Sequence, residues 1–179
     1  MSLTNTPTPD QIKRVPKALL HDHLDGGLRS ETIIEIAQKI SYKKLPTEDP
    51  KKLAEWFEDS CNSHSLVRYL ETFSHTIAVM QTKEAIIQVA RECAIDLARD
   101  GVVYAEVRGA PELFTEQGLS IDQVVEATTE GYKQGMAEAA REGKKIRVES
   151  LLCGMRQNNR SQEAAAAVVK YHNKGVVGF

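Results

Sequence analysis

The chain has 179 residues, of which 41% are hydrophobic and 27% charged, and its formal net charge is -2. This composition is typical of a folded globular domain and excludes a disordered chain. The small net charge gives no reason to expect nucleic acid or an anionic membrane as a partner. No apolar stretch approaches the roughly 20 residues that span a bilayer, so we expect a cytoplasmic protein.

The N-terminal segment, residues 1–15, is polar and contains Pro7 and Pro9. It lacks the apolar core of a secretory signal, so we expect a flexible leader. Residues 16–179 are then expected to form one domain or a portion of a larger one. The three cysteines are widely spaced, which favours reduced thiols over disulfides or cysteine ligation of zinc; they are Cys61, Cys93 and Cys153.

Short apolar strands alternate with amphipathic helices along the chain. Strands are predicted over residues 17–23, 102–107, 146–155 and 176–179. Helices are predicted to begin at the capping residues Ser30, Asp49, Thr82 and Ser120, and a last helix covers Ser161–Lys174 before Gly175. This alternation predicts a parallel sheet with right-handed crossovers, hence an α/β fold.

An open doubly wound sheet and a barrel both fit four such strands. Gly26-Gly27 lacks the further glycine spacing of a dinucleotide-binding turn. His21 and His23 end the first strand, where barrel enzymes place catalytic residues. We therefore favour a TIM-type (β/α)8 barrel. Because such a barrel needs roughly 250 residues, we expect this chain to hold about the first four strands plus helical insertions, with the C-terminal half of the barrel as its partner.

The first strand ends in His21-Asp22-His23 and continues into Leu24-Asp25-Gly26. Alternate residues of a strand point to the same face, so the two imidazoles can share one metal ion, and Asp25 can extend the row. A bare His-x-His pair is more often two ordinary polar residues. Its place at the end of an apolar strand favours the metal site, for which zinc, iron, nickel or cobalt are all compatible ions.

Other candidate side chains each have two interpretations. Glu106 and Arg108 share a face of the second strand and could line a pocket or form a buried ion pair. Met155, on the third strand, could contact a flat base or fill the core. Tyr69 and Phe73 lie at i and i+4 of a helix and could pack in the core or cover an apolar ligand.

Four segments, in order, resemble the adenosine deaminase family of the amidohydrolase superfamily. Pro16–Gly26 resembles the opening motif of that family. The second, third and fourth barrel strands of the family have similar segments here, in the order Gly101–Arg108, Ser150–Arg156 and Val176–Phe179. The resemblance covers the chain from Pro16 onward and implies the barrel fold.

The resemblance also implies roles for single residues. His21 and His23 match the first two ligands of one zinc ion, and Asp25 matches the carboxylate at the ribose end of the nucleoside. His23 also borders the substrate. The same family implies that Tyr69 and Phe73 belong to a helix covering the pocket, and that Arg108 and Met155 lie at pocket-lining strand ends.

The activity implied is zinc-dependent deamination of adenosine and 2′-deoxyadenosine, in purine salvage. In the family, the third zinc histidine and the glutamate that acts as general acid come from later strands, so we expect them beyond residue 179. No catalytic residue is then expected within this chain, which alone should be inactive. The alternatives are an amidohydrolase acting on adenine or aminodeoxyfutalosine, or on a substrate that is not a purine, and a non-catalytic fragment that binds a partner through exposed barrel edges.

Overall fold

The computed structural model describes residues 6–179, which form a four-stranded parallel sheet with strands in the order β1-β2-β3-β4. The strands are β1 Lys17–His23, β2 Val102–Gly109, β3 Arg147–Leu152 and β4 Val176–Gly178. The predicted parallel α/β topology is therefore confirmed.

Helices precede the sheet and connect its strands. They are α1 Pro9–Arg14, α2 Ser30–Lys39, α3 Pro50–Cys61, α4 Leu66–Val79, α5 Lys83–Arg99, α6 Ile121–Arg141 and α7 Ser161–Tyr171. Short 3-10 turns, Leu24–Gly26 and Pro111–Phe114, follow β1 and β2. Among the helices of residues 6–179, none combines the length and the apolar character that a membrane crossing requires.

The N-terminal segment contains structure that its sequence did not predict. Residues 1–5 lie outside the described part of the chain. Pro9–Arg14 form α1, whose start is fixed by a capping box between Thr8 and Gln11. None of the α1 residues is buried, so local capping holds this helix rather than contact with the core.

Most predicted helix starts are confirmed by side-chain caps. The side chains of Asp49, Thr82 and Ser120 each accept a hydrogen bond from a backbone N–H of the first turn. The prediction of Ser30 as an N-cap was wrong. Arg29 occupies that position because its carbonyl accepts the first helical hydrogen bond, and Ser30 is already helical.

The third strand is shorter than predicted, because long-range hydrogen bonds take over at its end. β3 stops at Leu152. The Cys153 N–H then donates to the Gly109 carbonyl at 3.0 Å, and the Met155 N–H donates to Glu112 Oε1. Met155 therefore does not lie on a strand face. The last helix also ends earlier than predicted, at Tyr171.

The closest helix packing is between α5 and α6, where two glycines of α6 face α5. A Cβ at Gly131 would lie 2.5 Å from the Ile87 carbonyl oxygen, and one at Gly135 would lie 2.4 Å from the Arg91 carbonyl oxygen. Both distances are far below van der Waals contact. The helix axes can approach this closely only because these positions lack a side chain.

A register shift in β1 decides which of its side chains face the helices. Leu19 packs against the core. Leu19 and Asp22 are three residues apart, but their partners in β2 are only two apart. One extra residue is therefore inserted, as in a β-bulge. Strict alternation from Leu19 would put His21 and His23 on the helix side, whereas the insertion leaves both exposed on the opposite face.

Candidate functional site

Two imidazole nitrogens meet at the carboxyl end of β1. His21 Nε2 and His23 Nε2 lie 3.2 Å apart, and the ring planes are inclined by 40°. Two zinc–nitrogen bonds of about 2.0–2.1 Å at a tetrahedral angle place the nitrogens roughly 3.3 Å apart. The pair therefore fits two ligands of one ion. When one ring nitrogen carries a proton, the same distance suits a hydrogen bond between the rings.

The number of ligands limits what this pair can do by itself. Within residues 6–179, no group of three or more His, Cys, Asp and Glu side chains is arranged to hold a metal ion. A catalytic zinc site usually has three protein ligands and one open position for water. A metal held by His21 and His23 thus needs at least one further protein ligand.

The residue between the two histidines points the other way. Asp22 accepts a hydrogen bond from the His23 N–H at 2.8 Å and lies near Cys93 and Tyr132 on the helix side of the sheet. Burial, together with the Asp22 and Asp96 carboxylates, raises the pKa of Cys93 to about 12. A buried thiol that stays protonated in this way is a poor nucleophile at neutral pH.

Asp25 lies two residues beyond the histidines, in the turn Leu24–Gly26, and only 7% of it is exposed. Burial raises the pKa of its carboxyl group, and the effect is opposed by the Asp25 backbone N–H and by His23. No other side chain between residues 6 and 179 donates a hydrogen bond to this carboxylate. Its buried oxygen atoms are therefore available to a ligand.

A cavity of about 350 Å³ opens beside Asp25. Tyr69 and Phe73, on α4, form part of its wall, with their rings in an edge-to-face contact at 5.5 Å. Tyr69 remains 41% exposed. The two rings thus border a space large enough for a ligand. This favours a helix that covers a ligand, and not one that only packs in the core.

A second wall of the cavity was missed by the sequence analysis. It comes from α3 and consists of Ala54, Phe57, Glu58 and Cys61. Their spacing of i, i+3, i+4 and i+7 places them on one helix face. That periodicity was a usable signal, but the face is partly polar and does not look like a core stripe.

Arg108 and Met155 do not line this cavity. Arg108 lies beside His23 in the sheet, and its Nε atom is buried without a hydrogen-bond partner. Met155 is held by its backbone, through Glu112. Their assignment to the substrate pocket stays a prediction. Glu106 forms no ion pair with Arg108 and instead accepts a hydrogen bond from the Tyr104 hydroxyl at 2.8 Å.

Comparison with known proteins decides the family. The sequence pattern that defines the family described as "Adenosine deaminase" matches residues 16–179. The chain belongs to the adenosine deaminase family. It is 54% identical over 178 residues to adenosine deaminase 1 of Streptomyces coelicolor, covering 99% of this chain and 45% of that protein. It is 51% identical to an adenosine deaminase of Mycobacterium marinum, covering 99% of this chain and 49% of that protein. The chain thus spans about half the length of the relatives it matches.

Solved structures of other proteins share the fold of this chain. Arabidopsis ADAL complexed with GMP superimposes with a TM-score of 0.75 at 25% identity, covering 94% of this chain and 50% of that one. An amidohydrolase from Burkholderia ambifaria, described with bound Zn, has a TM-score of 0.66 at 21% identity, covering 98% of this chain and 47% of that one. The predicted TIM-type α/β architecture is confirmed, and this chain corresponds to about half of each barrel protein.

Proposed function

We propose that the complete protein containing this chain catalyses zinc-dependent hydrolytic deamination of adenosine and 2′-deoxyadenosine, giving inosine or 2′-deoxyinosine and ammonia. One observation carries the proposal, namely the 3.2 Å approach of His21 Nε2 to His23 Nε2 with a buried carboxyl group, Asp25, two residues further on. The relatives in Streptomyces coelicolor and Mycobacterium marinum are both described as adenosine deaminases.

His21 and His23 would hold the ion through Nε2. We propose zinc, and not iron, nickel or cobalt, because a structural relative is described with bound Zn. When bound, zinc lowers the pKa of a coordinated water and so supplies hydroxide at neutral pH. The further ligand and the group that protonates the purine ring would come from the C-terminal half of the barrel.

The remaining residues of this chain would bind and orient the nucleoside. Asp25 would accept a hydrogen bond from a ribose hydroxyl, since no other side chain between residues 6 and 179 donates to its carboxylate. Tyr69 and Phe73 would cover the sugar and exclude water from the site. Arg108 and Met155 would contribute from strand ends on the purine side.

The chain would be one portion of a larger enzyme. Residues 16–179 would form the N-terminal portion of a single barrel domain, preceded by the leader of residues 1–15. The partner would be the rest of the barrel, and the small-molecule ligand a purine nucleoside. We place the enzyme in the cytoplasm, in purine metabolism.

The test uses the full-length protein, in which the rest of the barrel would follow this chain. Metal content is measured by mass spectrometry, and deamination by ammonia release from adenosine, 2′-deoxyadenosine, adenine and aminodeoxyfutalosine. We expect one zinc ion and turnover of both nucleosides. A zinc-loaded protein that turns over only adenine or aminodeoxyfutalosine would replace the proposed substrate, and one that releases no ammonia would contradict the function.

His23→Ala is expected to remove the metal and to lower kcat/KM for adenosine on the order of a thousand-fold. That loss exceeds the 10–100-fold that removal of a group supporting a metal ligand costs. His172→Ala is the matched control, because His172 is exposed and lies outside the site. Equal metal content in the two variants would contradict the assignment of His23 as a ligand.

A further inference from the structure

The cavity beside Asp25 is larger than a nucleoside hydroxymethyl group requires. One water molecule accounts for about 30 Å³ of liquid, and a hydroxymethyl group is of similar size, whereas the cavity measures about 350 Å³. Neither His21 nor His23 lines it. The space therefore extends from Asp25 away from the metal pair, between α3 and α4.

The charged side chains that line this cavity between positions 6 and 179 are all acidic. Two of the residues in its wall are carboxylates, Asp25 and Glu58, and none of the residues lining it between positions 6 and 179 is Lys, Arg or His. Neither carboxylate forms an ion pair within that part of the chain. A phosphate placed here would meet like charges without a compensating cation, which costs free energy.

The rest of the wall is apolar or weakly polar. The Phe57, Tyr69 and Phe73 rings and the Cys61 thiol all border the same space. Such a lining favours thioether or alkyl groups, while Asp25 and Glu58 add attraction for an ammonium group. The size, charge and lining of the cavity thus all favour a thioether or alkyl substituent that is neutral or carries an ammonium group.

We propose that this cavity receives the 5′ substituent of the nucleoside and admits 5′-deoxy-5′-substituted adenosines whose substituent is neutral or cationic, while excluding 5′-phosphates. The inference rests on the proposed function, because it takes Asp25 as the ribose end of the site. The reaction itself is unchanged, since water replaces the amino group at C6, ammonia leaves, and the 5′ substituent stays attached.

The first test compares three substrates of the full-length enzyme, namely adenosine, 5′-deoxy-5′-(methylthio)adenosine and adenosine 5′-monophosphate. We expect kcat/KM for the thioether within about tenfold of that for adenosine, a spread typical of one added apolar group in a hydrophobic pocket. We expect the phosphate to be poorer by at least about a thousand-fold. Comparable use of the phosphate and the thioether would overturn the proposal.

Glu58→Lys tests the charge argument. Reversing this charge should raise kcat/KM for the monophosphate relative to that for adenosine by about tenfold or more. Glu55→Lys is the matched control, because Glu55 lies on the same helix, is exposed and does not line the cavity. Equal ratios in the two variants would remove Glu58 as a determinant of specificity.

Alkylation of Cys61 gives a readout that does not depend on turnover. Cys61 is exposed and borders the cavity, whereas burial raises the pKa of both Cys93 and Cys153, so iodoacetamide should modify Cys61 first. The methylthio nucleoside is expected to slow this modification, measured by peptide mass spectrometry, at least about threefold more than adenosine does at equal saturation, because only its substituent enters the cavity.

The outcomes separate the two proposals. Turnover of adenosine without turnover of the thioether, and without protection of Cys61, would overturn the cavity assignment and leave the deaminase function standing. Failure to deaminate any 6-aminopurine nucleoside would overturn both. Turnover of the thioether with protection of Cys61 would support both.

Discussion

Asp25 shows how a residue that suits a ligand can be costly for the folded chain. Its carboxyl group is buried and receives no hydrogen bond from another side chain of the described structure. An ionised carboxylate in such a place loses hydration that the protein does not replace. Groups of this kind are common at functional sites, where binding takes precedence over stability.

Asp25→Asn should therefore stabilise the fold at neutral pH, by about 0.5–2 kcal/mol, the usual gain at such sites. Burial raises the folded-state pKa of Asp25 above 3.8, so folding favours the protonated form. The stability of the natural chain is then expected to fall as pH rises from about 3.8 through the folded pKa, and the advantage of the variant should grow over that interval.

Urea unfolding of the full-length protein at a series of pH values measures this difference. Asp59→Asn serves as the control, since Asp59 is exposed and lies outside the cavity. A variant whose advantage is the same at low and neutral pH would show that the buried charge of Asp25 is not the cause.

At the scale of single elements, the sequence predicts best what depends on neighbouring residues. The caps at Asp49, Thr82 and Ser120 were predictable because each bond joins residues three apart. The end of β3 was not, because the Met155 N–H is held by Glu112, 43 residues earlier. The cavity wall on α3 also depends on packing against α4, which no local pattern specifies.

The site was predictable in part for the same reason. His21 and His23 were placed on one face by simple alternation, and the structure agrees. Their face is set by an insertion next to Leu19, which simple alternation does not predict because the insertion depends on pairing with β2. The resemblance to a family supplied the role of Asp25, which no periodicity indicates.

Gly135→Ala is expected to destabilise the contact between α5 and α6. A new Cβ would lie 2.4 Å from the Arg91 backbone carbonyl, and overpacking of this kind costs about 1–3 kcal/mol. The better helix propensity of Ala returns at most about 1 kcal/mol. We therefore expect a net loss of about 1–2 kcal/mol in the free energy of unfolding, measured by urea denaturation.

Gly109→Ala is the control for this substitution. Gly109 also lies in a regular element, and no atom lies within 4 Å of a Cβ built there. It should change stability by less than about 0.5 kcal/mol, as substitutions away from close contacts do. Equal losses at Gly109 and Gly135 would rule out the close helix approach as the reason.

At the scale of the whole molecule, one face of the sheet is open. Leu20, Val103 and Phe179 are 58%, 46% and 58% exposed, and β1 and β4 are the two edges of the sheet. Exposed apolar side chains beside unpaired strand edges favour association with another chain. In the barrel proteins that this chain resembles, about half of the structure corresponds to it.

The 179-residue chain expressed by itself is accordingly expected to self-associate and to bind a hydrophobic dye. Size-exclusion chromatography with light scattering measures the first property and dye fluorescence the second. In a full-length protein, further barrel strands would cover this face, so it should neither bind more dye nor increase in mass with concentration. A monodisperse 179-residue monomer that binds no dye would contradict the half-barrel interpretation.

The inserted residue of β1 has a consequence for how this strand tolerates change. Removing Leu20 would restore strict alternation from Leu19, so that His21 and His23 would stay on the open face and Asp22 on the helix side. Removing Asp22 instead would make the two histidines consecutive residues on opposite faces, where they could not share one ion. A full-length protein without Leu20 is therefore expected to retain metal binding, whereas one without Asp22 is expected to lose it.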